Sequence, residues 1–97
     1  MSSLFPASLP RSSHAAFQRQ VWGEFFGMLI QGVREKLGHS IEETARRAGM
    51  TASQWEVIEA GKVPRAREQL VAMAEALEVD RSGMASLAVL CRQAWGR

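Results

Sequence analysis

Apolar residues recur four apart between Ala15 and Leu37, at Phe17, Val21, Phe25, Leu29, Val33 and Leu37, with a second row at Trp22, Phe26 and Ile30 beside them. Side chains spaced this way share one side of a 3.6-residue turn, so the pattern predicts a helix with a broad apolar face. Gly23, Gly27 and Gly32 interrupt it. Each costs a helix interior about 1 kcal/mol relative to alanine, so the segment is expected as one helix or as two, broken near Gly23 or Gly27. Gly38 is a C-terminal stop. Ser40-Ile41-Glu42-Glu43 has the form of a capping box, in which serine and glutamate satisfy each other's backbone N–H groups. It opens a short second helix, about Ile41 to Ala48, stopped by Gly49. Thr51-Ala52-Ser53-Gln54 repeats the device and opens a third helix to about Ala60, ended by Gly61. Pro64 then closes a basic loop from Lys62 to Arg67. A fourth helix carries Leu70, Met73, Ala74 and Leu77 on one face. Asp80 is placed to cap a fifth with Met84, Leu87, Leu90, Cys91, Ala94 and Trp95 at helical spacing. No strand pattern or internal repeat occurs, so the expected fold class is all-α, a five-helix bundle with an N-terminal helical extension.

Residues 1–13 hold two of the three prolines and five serines, and are expected as a flexible arm, with Ser13 placed to cap the first helix. The remaining organisation is an extension over 14–25, a central domain over 26–80 and a C-terminal helix over 81–97. With 97 residues, 46% hydrophobic and 23% charged, the chain suits one folded core. Twelve Lys and Arg against ten Asp and Glu leave a charge of +2, far too little for a histone-like coat on DNA. Any nucleic-acid contact must therefore rest on locally clustered cations. Cys91, the one cysteine, can form neither an internal disulfide nor a metal site alone and reads as a small apolar helix residue. His14 and His39 lack partners at ligand spacing, so no metal or cofactor is expected. No nucleophile–base pair or phosphate loop suggests an enzyme. Neither a signal peptide nor an apolar span of about 20 residues is seen, and a cytoplasmic location is expected.

The densest information lies around Gly49-Met50-Thr51, where two short helices meet at a sharp corner. Apolar residues stand where they must touch, at Ala45, Ala48, Met50, Trp55 and Ile58, and the small Ala45 lets the two cross closely. Such a corner projects its second helix from the surface, able to lie in a major groove about 12 Å wide. Val33-Arg34, Gly38, Ser40-Ile41, Thr44-Ala45, Gly49-Met50-Thr51, Trp55, Ile58-Glu59 and Gly61-Lys62 fall in register, and Leu70, Val71, Met73, Ala74, Ala76-Leu77 and Val79 follow after a one-residue deletion. In these residues the chain resembles the phage-repressor (Xre/Cro-like) helix-turn-helix family, over about Phe26 to Leu87.

The resemblance implies a bundle of the lambda-repressor-like type and a transcriptional regulator that binds double-stranded DNA. It carries base reading onto Thr51, Ala52, Ser53 and Val57. It places Gln54 at the phosphate backbone and the loop cations Lys62, Arg65 and Arg67 beside it, with Arg46 and Arg47 added as further phosphate contacts. Arg34 and Glu59 are similar to the family's ion pair between the first and third helices. Two departures stand out: Ile41 replaces the glutamine that often binds a phosphate, and Thr44 replaces a leucine. The base readers offer hydroxyl, methyl and isopropyl groups, suited to thymine methyls, but no bidentate Arg or Gln pair.

So few base contacts favour a homodimer reading two half-sites, which is expected as a repressor. Trp22, Leu87, Leu90 and Trp95, on the flanking helices, either complete the core or line the dimer contact. The competing expectation is a protein-interaction or antitoxin-type module that keeps the corner as a scaffold and binds a protein partner.

Overall fold

Five helices make up the described residues: α1 (Arg11–Leu37), α2 (Ile41–Arg47), α3 (Ala52–Glu59), α4 (Arg67–Ala76) and α5 (Arg81–Gln93). The computed structural model describes the backbone of residues 11–93 and the side chains of residues 16–92. Residues 1–10 of the expected arm and Ala94 and Trp95 of the expected fifth helix lie outside the described residues.

The first segment is one helix of 27 residues, unbroken at Gly23 and Gly27. It is already helical at Arg11, so Ser13 sits inside the helix rather than at its N-cap, and residues 11–13 belong to α1 rather than to an arm. Two of the glycines are contact residues, not breaks. A Cβ on Gly23 would lie 2.2 Å from the carbonyl oxygen of Gly61, and one on Gly27 would lie 2.3 Å from that of Glu59. α1 thus crosses the end of α3 with backbone against backbone, which only a residue without a side chain permits.

That crossing decides which apolar row is buried. Phe26 and Ile30 enter the core and Trp22 packs against it, whereas Phe17, Val21, Phe25 and Leu29 of the four-apart row are exposed. Residues four apart drift by about 40° at each step around the helix, so the row turns into the core only near its end, where Val33 packs against it. From the other helices the core takes Trp55, Ile58, Leu70, Met73, Leu77, Met84 and Cys91, among others. Burial pushes the Cys91 thiol pKa up, as desolvation disfavours a thiolate. Thr44 is fully buried beside this apolar set, and its hydroxyl is satisfied by donating to the Ser40 carbonyl at 2.8 Å.

The two corner helices are capped differently. Ser40 Oγ accepts from the Glu43 N–H at 3.0 Å, but the carboxylate of Glu43 does not reach back to Ser40; it holds Arg46 and Arg47 instead. At α3 the box is complete, with Thr51 Oγ1 accepting from the Gln54 N–H and Gln54 Oε1 accepting from the Thr51 N–H. Between them Gly49 adopts φ +70°, a left-handed conformation that costs glycine little and makes the turn tight.

Candidate nucleic-acid interface

α3 turns Trp55 and Ile58 inward and leaves Thr51, Ser53, Gln54, Glu56 and Val57 exposed, with Ala52 half-buried. Val57 is 47% exposed, so its isopropyl group is open to an apolar contact from outside the chain. Behind this face the helix is anchored. Arg34 grips Glu59 with both arms of its guanidinium, Nε to Oε2 at 2.6 Å and Nη2 to Oε1 at 3.1 Å. Arg34 Nη1 also donates to the His39 carbonyl at 2.9 Å, and Trp55 Nε1 donates to Glu59 Oε2 at 2.6 Å. The paired side chains are only 10% and 9% exposed. The hydrogen bond to Glu59 raises the Arg34 pKa despite the opposing effect of desolvation, so the arginine stays charged. The network ties α1 to α3 and fixes the outer face of α3.

The cations expected at phosphates fall into two groups. Arg46 and Arg47 both donate to Glu43 on their own helix, Arg47 through Nε at 2.8 Å. The bond from Arg47, aided by the charge of Arg46, holds the Glu43 carboxyl below its ordinary range. Lys62, Arg65 and Arg67 are exposed, and none forms a salt bridge within the described residues. A hollow of about 160 Å³ bounded by Gln54, Val57, Lys62 and Gln69 joins the face of α3 to this loop. With an exposed helix rigidly mounted beside such cations, the arrangement has the physical features of a groove-inserting element.

A comparison with protein-family models matches residues 26–87 to the helix-turn-helix domain. The chain belongs to the helix-turn-helix domain family. Comparison with curated proteins and with solved structures finds no match. In the helix-turn-helix of this protein α2 and α3 are the crossed pair, and the family assigns the domain to DNA binding and transcription regulation. No described helix is long and apolar enough to cross a membrane.

The expected dimer residues do not act alike in this helix-turn-helix protein. Trp22 packs against the core and meets Phe25 edge-on, with ring centroids 5.8 Å apart. Leu87 also packs against the core. Leu90 projects outward at 58% exposure, and Trp95 lies outside the described residues.

Two further cations, which no sequence motif marks, stand near the loop. Arg92 Nη1 donates to the Pro64 carbonyl at 3.2 Å, and Arg19 lines the same groove. Nothing in their local sequence marks them, because they meet the loop across 28 and more than 40 residues of chain. Trp55 as a donor to Glu59 was legible in principle, as the two are four apart on one helix.

Proposed function

We propose that the protein is a sequence-specific, Xre/Cro-like regulator that represses transcription from the cytoplasm as a homodimer. The observation that carries this reading is the outer face of α3. Ser53, Gln54 and Val57 stand exposed on a helix braced from behind by Arg34, Glu59 and Trp55, next to Lys62, Arg65 and Arg67 without carboxylate partners among the described residues. In this reading Thr51, Ala52, Ser53 and Val57 meet base edges through hydroxyl and methyl groups, while Gln54 uses its remaining N–H donors on a phosphate. Phosphate contact supplies most of the affinity and little of the selectivity. Discrimination of about 1–3 kcal/mol per base pair over so few contacts requires a second copy on a second half-site.

The second reading, a protein-interaction or antitoxin-type module, draws on the exposed Val21, Phe25, Met28 and Leu29 along α1. A gel-shift titration of the full chain over a salt series separates the two. The DNA reading expects affinity to fall steeply with salt, and to lose about one unit of slope for each of Lys62, Arg65 and Arg67 neutralised, on all sequences alike. Absence of binding even at low salt rejects it in favour of the module.

A further inference from the structure

We propose that Arg19 and Arg92, which flank the matched helix-turn-helix residues, join Lys62 and Arg65 in a groove that binds a DNA backbone segment beyond the reach of the corner itself. The inference rests on the DNA-binding reading and extends its footprint. The groove, about 570 Å³, runs between α1, the α3–α4 loop and α5, and all four cations line it. Its construction follows from the glycine contact. Gly23 lies against Gly61 without a side chain between them, and Arg19 precedes Gly23 by one helical turn, so it is brought beside the loop. Arg92 is tethered from the opposite wall by its bond to Pro64, which uses one of five guanidinium N–H donors.

Three features suit a polyanion rather than an isolated ion. The groove shares Lys62, Pro64 and Gln69 with the hollow beside Val57, so a strand flanking α3 continues into it. Through Arg65 and Arg92 it adjoins a second groove of about 380 Å³ that adds Arg67 and Arg81, the latter paired with Glu75. Six of the chain's twelve Lys and Arg line the two grooves, against Glu75, which pairs with Arg81, and Glu24, whose side chain lies beside Gly61. In a protein of net charge +2, that segregation creates a local positive field where the overall balance predicts almost none.

The test is fluorescence anisotropy of a labelled random-sequence duplex, between about 50 and 200 mM salt, with the full-length protein. Arg19→Gln and Arg92→Gln should each lower the salt slope by about one. The drop in affinity across that range then shrinks about fourfold per residue. Arg92→Lys should retain the slope. Should a melt show that Arg92→Gln loosens the loop, Arg19→Gln, on the exposed side of α1, decides alone. Binding by the unmodified protein with an unchanged slope in Arg19→Gln overturns this proposal but leaves the corner's role intact. No binding by the unmodified protein overturns the DNA reading and this extension together. Displacement of the duplex by inorganic phosphate at matched ionic strength would make the groove a small-anion site, and so also overturn it.

Discussion

Gly27 lies directly against the backbone of Glu59, so close that a Cβ on Gly27 would stand 2.3 Å from the Glu59 carbonyl oxygen. The obstacle is backbone, which cannot swing aside as a side chain would. Gly27→Ala should therefore push α1 off α3 and destabilise the fold by about 1–3 kcal/mol or more. Gly32, on the same helix, meets nothing within 4 Å. Gly32→Ala should stabilise by about 0.4–1 kcal/mol, because alanine restricts the unfolded chain and favours helix. Chemical denaturation of the two variants checks the opposite signs; equal effects would show that the close crossing is absent in solution.

The Glu59 carboxylate is shared by Arg34 and Trp55. Arg34→Ala strands a nearly buried charge and should cost about 3–5 kcal/mol. Removing both Arg34 and Glu59 should cost less than the sum of the single changes. Trp55→Phe keeps most of the ring but loses the N–H, with an expected loss of about 1.5–3 kcal/mol for a hydrogen bond to a charged group. Strictly additive losses in the thermal or urea cycle would mean that the Arg34 and Glu59 side chains do not interact.

Glu43 restrains two cations at once, and its substitution should act on both stability and binding. Its carboxyl pKa is depressed in the folded protein, so its contribution is present above the ordinary carboxylate range and is lost as pH falls through that range and below it. The difference in Tm between the native chain and Glu43→Gln should accordingly be small at neutral pH and disappear in acid. Under the DNA-binding reading the same variant releases Arg46 and Arg47 and should raise affinity for any duplex by roughly threefold to tenfold. Unchanged affinity would place both arginines away from the phosphates.

Leu90 is the outward residue of α5 among the expected dimer contacts. At micromolar concentration the protein should sediment at twice its 10.7 kDa mass. Leu90→Glu should return it to a monomer of unchanged helical content and weaker DNA affinity. A native chain that sediments as a 10.7 kDa monomer both alone and with DNA rejects the dimer.

How much of this was legible in advance depends on how far apart the interacting residues lie. Ser40, Thr51 with Gln54, and Gly49 marked the helix boundaries correctly, since caps and turns are settled by groups within four residues of each other. Even there one local reading failed: Glu43 had two arginines of its own helix within reach and paired with them rather than completing the box at Ser40. A residue with several local partners is not assigned by spacing alone.

By itself, then, the sequence determined an all-α fold class and a crossed pair at Gly49, because periodicity, capping and turn chemistry are properties of neighbouring residues. Tertiary structure alone decided that α1 runs unbroken, and that Trp22, Phe26 and Ile30 rather than the row of Phe17, Val21 and Phe25 turn toward the core. It alone brought Arg19 and Arg92 to the loop of Lys62 and Arg65. A helix with two apolar rows carries no internal instruction about which to bury. That choice is made where Gly23 and Gly27 let another backbone approach, and the approaching residues stand more than 30 positions away in the chain.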